Sequence, residues 1–97
     1  MSDIICINDI FSPEARQVYE QYGVVTPYLD GVYSVREVVI TRVGTGLLLN
    51  ELINPKMWIY GEGENAMYAE PNFKISRFRN LDGTEINVQQ LKQKELV

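Results

Sequence analysis

The sequence predicts one mainly-β domain, a small barrel or strongly bent sheet carrying two short helices. Short runs of β-branched and aromatic residues are separated by tight turn signals throughout a chain of 97 residues. The longest run loses its alternation once, as a sharply bent strand with a bulge does. Helix signals occur in only two places.

Ninety-seven residues fit one domain, 1–97, since domains typically run from ~50 to ~250 residues. The strands fall within about residues 3–81, and 82–97 form a C-terminal extension. With one cysteine, Cys6, no internal disulfide forms. The core must therefore come from apolar packing.

Residues 3–10 are isoleucine-rich and read as a first strand, buried on both faces, with Cys6 a small hydrophobe inside it. A helix follows over residues 13–22. Ser12 is placed to cap it, Pro13 fits its first position, and Glu14 suits the positive end of its dipole. Ala15, Val18, Tyr19 and Tyr22 form an apolar stripe, and Gly23 supplies a left-handed stop. So short a helix needs the sheet to pack against.

Asp30-Gly31 marks a turn before the strongest strand, residues 32–43. Tyr33 and Val35 share one parity there, while Val38 and Ile40 take the other. One extra residue near Arg36-Glu37 repairs the pattern. Gly44-Thr45-Gly46 is expected to turn the chain, with residues 47–53 returning as the hairpin partner. Residues 54–71 break pattern and read as a long hairpin loop whose shoulders extend the strands. Phe73, Ile75 and Phe78 predict a strand ending in one tight turn, followed by a last strand over 79–81. Asp82-Gly83 turns again, and Asn87 with Gln90 opens a short helix from Val88 to about Lys94 with a thin apolar side, Val88 and Leu91.

Four pieces in order resemble a group of small phage and prophage proteins with an SH3-like barrel. They are Ile5-Cys6-Ile7-Asn8-Asp9, the stretch from Gly31 to Val38 (Gly-Val-Tyr-Ser-Val-Arg-Glu-Val), the stretch from Leu47 to Pro55, and Phe73-Lys74-Ile75-Ser76-Arg77-Phe78-Arg79. The resemblance implies a five-stranded SH3-like barrel and a phage or prophage setting, and it implies no site residues. The helix at 13–22 and the tail after Asp82 depart from the group's pattern.

Composition narrows the chemistry. The chain has no histidine, which removes imidazole acid–base work, histidine-activated nucleophiles and histidine-bound metals. Glu62 and Glu64 sit in a glycine-rich stretch with nothing to raise a carboxyl pKa. Gly61-Glu62-Gly63 lacks the lysine of a phosphate loop. No enzyme activity and no cofactor is expected. The longest apolar run, Leu47-Leu48-Leu49, is far below the ~20 residues that cross a bilayer. With an unpaired thiol and no export signal at the start, a cytoplasmic setting is expected, that of the host if the gene is a phage's.

The net charge of −4 is unevenly spread. Residues 1–70 carry four basic and ten acidic side chains, and 71–97 carry five and three. Two candidate surfaces result. Met57, Trp58, Tyr60 and Tyr68, in the long loop, suit anchoring a protein partner, although the same aromatics also suit folding back over a barrel end. Arg36, Arg42, Lys74, Arg77 and Arg79 form a candidate strip for nucleic acid, opposed by neighbouring glutamates such as Glu37 and Glu70. Arg77 and Arg79 flank Phe78, where a structural ion pair is the ordinary use. The favoured reading is a non-catalytic module that binds a protein, one version being a component of the bacterial host. The alternatives are a nucleic-acid accessory protein and a self-associating protein that uses the hairpin edge or the C-terminal helix.

Overall fold

The first strand lies inside the sheet, with a partner on each side. The computed structural model describes residues 3–41, 44–60, 66–89 and 91. Its elements are β1 (Asp3–Cys6), α1 (Pro13–Tyr22), β2 (Val32–Thr41), β3 (Gly44–Leu49), β4 (Met57–Tyr60), β5 (Ala66–Ala69), β6 (Phe73–Lys74), a 3-10 turn (Ile75–Arg77) and β7 (Phe78–Asn80). Five strands form one antiparallel sheet in the order β6-β3-β2-β1-β7. β4 and β5 pair separately. The fold is mainly β, as the sequence predicts.

β2 is shared between two neighbours. Its start pairs with β1, Tyr33 opposite Ile4, and its remainder pairs with β3 from Val35 opposite Leu49 onward. The register shifts between Val35 and Glu37, so the extra residue is Arg36, where the broken alternation places it. The sheet's outer strands, β6 and β7, are consecutive in the chain and joined by the single 3-10 turn.

The core follows from these pairings. Ile4, Cys6, Tyr33, Leu47, Leu49, Phe73, Phe78 and Leu91 form one buried cluster, with Phe11, Val35, Val38, Leu52, Ile75 and Ile86 packed against it. Tyr33 lies edge-on to Phe78, and its hydroxyl accepts a hydrogen bond from the Tyr28 amide at 3.0 Å. Burial pushes both the Tyr33 phenol and the Cys6 thiol above their ordinary pKa values. Cys6 is fully buried, as a small hydrophobe is.

Several expectations are corrected. β1 ends at Cys6, and only Ile4 and Cys6 are buried in it. Ile5 is half-buried and Ile7 is exposed, because the outer face of the sheet is only partly covered at the row Val32–Ile5–Arg79. Gly44 and Gly46 belong to β3, with Gly44 opposite Thr41, and residues 42 and 43 lie outside the described residues. Gly46 is required for packing: a Cβ there would run into the Asn72 side chain. The last strand begins one residue earlier than expected, at Phe78.

Helix α1 starts and stops as its caps dictate. The Ser12 hydroxyl accepts from the Ala15 amide at 3.1 Å, Pro13 leads the helix, and Gly23 ends it at φ 71°. Its stripe is only half used, however. Tyr19 is partly buried, edge-on to Phe11, which in turn meets Phe73, while Val18 and Tyr22 stay exposed. At the other end of the chain, Gln89 donates its amide to the Asn87 side chain, and Leu91 enters the core cluster. The rest of the expected C-terminal helix lies outside the described residues.

A local clamp fixes the exit of β3. The Glu51 carboxylate accepts from the Ser34 amide at 2.8 Å and from its hydroxyl at 2.6 Å. Burial raises the Glu51 pKa, but the bonds from Ser34 outweigh it and leave the group below its ordinary 4.5. A depressed carboxyl stabilises the fold above its unfolded pKa, and that contribution is lost as pH falls through the lower folded value. Urea titrations should therefore show wild-type stability declining below about pH 4.5, with a shallower decline in Glu51→Gln. Truncating the tail's core anchor, Leu91→Ala, should cost about 2–4 kcal/mol in the same assay at neutral pH. A loss near zero would mean that the extension does not contribute to the core.

Candidate binding surface

Met57, Trp58 and Tyr68 come together in a two-stranded ribbon. The pairs are Met57 with Ala69, Trp58 with Tyr68, Ile59 with Met67 and Tyr60 with Ala66. The expected loop shoulders thus form a ribbon of their own and do not extend β3 or β6. Side chains alternate along a strand, so Trp58 and Tyr68 share one face and Met57 and Ala69 the other. Of Tyr60 only the backbone pairing is described, opposite Ala66. Glu62 and Glu64 lie outside the described residues.

Exposure separates the two faces. Met57 is 6 % exposed, whereas Trp58 is 51 % and Tyr68 56 % exposed. Met57 therefore roots the ribbon, while Trp58 and Tyr68 stand exposed. Trp58 and Tyr68 lie against each other, ring centroids 5.3 Å apart and planes tilted by 54°. Such a cross-strand pair holds both rings in place, leaving less side-chain entropy to lose when another molecule covers them.

The base of the ribbon is held by a polar network. Arg36, the bulge residue, donates from Nη2 to Glu70 Oε2 at 2.6 Å and from Nε to the Leu49 carbonyl at 3.2 Å. The same Glu70 oxygen accepts from the Asn54 amide at 2.9 Å. The Asn54 side chain then accepts from the Val25 amide and donates to the Val25 carbonyl. Residues just before β4 and just after β5 are thus tied to each other, to β2 and to the loop after α1.

The basic candidates are deployed differently from a strip. Arg36 is engaged by Glu70. Arg77 donates from Nη1 to the carbonyls of Asn8 and Ile10, and its guanidinium lies 3.8 Å from the centre of the Phe11 ring. Arg79 is half-buried and donates to the Phe78 carbonyl. Among the described residues, carbonyls and a ring face take the place of the ion pair expected beside Phe78. Lys74 is exposed on the outer strand β6, and Arg42 lies outside the described residues. A groove of about 560 Å³ beside α1, not anticipated from the sequence, is lined by Arg16 together with Asp9 and Glu20. Its charges are of both signs.

No family model, characterised protein or solved structure matches this chain. Among the described residues no helix is long and apolar enough to cross a membrane.

The two faces of the ribbon respond differently to truncation. Met57→Ala should lower stability by about 2–4 kcal/mol, as loss of a buried methionine does. Trp58→Ala should lower it by about 1 kcal/mol or less, the worth of one cross-strand aromatic pair. Chemical denaturation of the two variants checks this, and an equal loss would mean that Trp58 is a packing residue.

Proposed function

We propose that the protein is a non-catalytic binding module of phage or prophage origin that engages a protein partner through the Trp58–Tyr68 face of its ribbon. The observation that carries this reading is two large aromatic rings, each half-exposed, held against one another on a ribbon anchored at its base. A folded domain ordinarily shields such residues, and Trp and Tyr supply much of the binding energy where proteins meet. Rings already fixed in place lose little freedom on binding.

The scaffold reading is an SH3-like barrel. Its support is the path of β2, which passes from β1 to β3 across the bulge, and the 3-10 turn that links the sheet's two outer strands. The phage setting is supported by the four sequence pieces that resemble phage proteins of this type. A host component is the partner such a setting favours.

Affinity capture from nuclease-treated bacterial lysate, read by mass spectrometry, tests the reading. Wild type should retain a protein that a Trp58→Ala/Tyr68→Ala variant of matched folding loses, with recovery reduced at least about tenfold, the loss expected for a hot-spot pair. Equal recovery by both forms would rule out the aromatic face as the contact.

A further inference from the structure

We propose that the Trp58–Tyr68 face receives an uncharged, proline-rich segment of a protein partner, held as an extended polyproline helix. The inference rests on the reading of this face as a protein contact and adds the kind of chain it recognises.

The size of the face limits what sits on it. Trp58 and Tyr68 are directly opposite one another, so their rings stand across the ribbon at a single level along it. Their neighbours Met57 and Ala69 turn to the other face, and a four-residue strand covers only about 14 Å. A docked amphipathic helix is about 10–12 Å across and uses anchors at i, i+3, i+4 and i+7 along a groove. One pair of rings gives it a single foothold. A strand added to the ribbon would engage the backbone edge and leave the rings unused. An extended segment that lays a compact apolar group on the two rings fits the space.

The groups on the face narrow that segment further. Met57-Trp58-Ile59-Tyr60 and Ala66-Met67-Tyr68-Ala69 contain no charged residue, so neither strand can pair with a charged side chain. Glu70, next in the chain, is already engaged by Arg36 and Asn54. Each ring does bring a donor, the indole N–H of Trp58 and the hydroxyl of Tyr68. Among the described residues neither donor has a partner. Two rings with two unengaged donors suit a ligand that is apolar and rich in free acceptors. A polyproline helix is such a ligand: its prolines have no N–H to satisfy, and its carbonyls are not bonded within the helix.

Ordering cost points the same way. A site of two rings makes few contacts, so the freedom lost on binding decides whether a segment stays. A proline-rich segment is extended before it binds and loses little. The rings are restrained by their own pairing, and planes inclined by 54° flank a notch where flush rings would leave none.

Trp58 is the single tryptophan, so its emission reports occupancy directly. Titration of the full chain with acetylated, amidated decaproline should saturate, with affinity at least about tenfold above that for a glycine–serine peptide of equal length. Tyr68→Phe, which keeps the ring and removes the donor, should weaken decaproline at least about threefold. No response to decaproline, equal affinity for the glycine–serine peptide, unchanged affinity in Tyr68→Phe, or a response to cellohexaose in its place overturns the proposal. Decaproline added to the lysate capture separates this inference from the reading beneath it. Release of the protein that Trp58 and Tyr68 retain supports the assignment. A protein retained through those residues and not released overturns the proline assignment and leaves the aromatic face as the contact.

Discussion

One carboxylate holds the ribbon to the rest of the molecule. Glu70 Oε2 receives both the Arg36 guanidinium and the Asn54 amide, and Asn54 in turn grips both backbone groups of Val25. Without Glu70, a partly buried guanidinium and a backbone amide would each lose a partner, a more costly change than breaking an exposed surface pair. The same contact determines where the ribbon can point, because it closes the ribbon's two ends against β2. The position of Trp58 and Tyr68 in space thus depends on Glu70 as well as on their own pairing.

The bulge at Arg36 links this anchor to the fold. An ordinary strand residue at that point would direct its side chain to a face of the sheet and keep the alternation running. The extra residue instead lets β2 bend from its pairing with β1 to its pairing with β3, and it places Arg36 where it reaches both Leu49 and Glu70. The hydrophobic set of β2 changes parity at the same residue, so Tyr33 and Val35 on one side of the bulge and Val38 on the other all reach the same core. One backbone irregularity therefore serves core packing and ribbon placement together. Phe11 plays a comparable part for the helix: Tyr19, Phe73 and the Arg77 guanidinium all meet its ring.

What could be read from the sequence was what local chemistry decides. Ser12, Pro13 and Gly23 mark the helix within a few residues, and the slip after Val35 marks the bulge, because each signal lies beside its consequence. Gly44-Thr45-Gly46 misled for the opposite reason. Gly46 answers a distant requirement, the room taken by Asn72, and not a turn. The aromatic residues of the surface were visible as a composition. Their arrangement was not, since it rests on a register pairing Trp58 with Tyr68 and on an ion pair between residues 34 positions apart. Arg36 and Arg77 looked available for nucleic acid because carbonyl and carboxylate partners far away in the chain leave no local trace.

Trp58 stands against Tyr68 on an anchored ribbon. It is the chain's single tryptophan, so its emission reports on that ribbon alone. Time-resolved fluorescence anisotropy should show the wild-type indole turning with the whole molecule, and a fast local component should appear in Glu70→Gln while the fold persists. A fast component of equal size in wild type would mean that the ring moves freely with its anchor intact, and that Glu70 does not hold it.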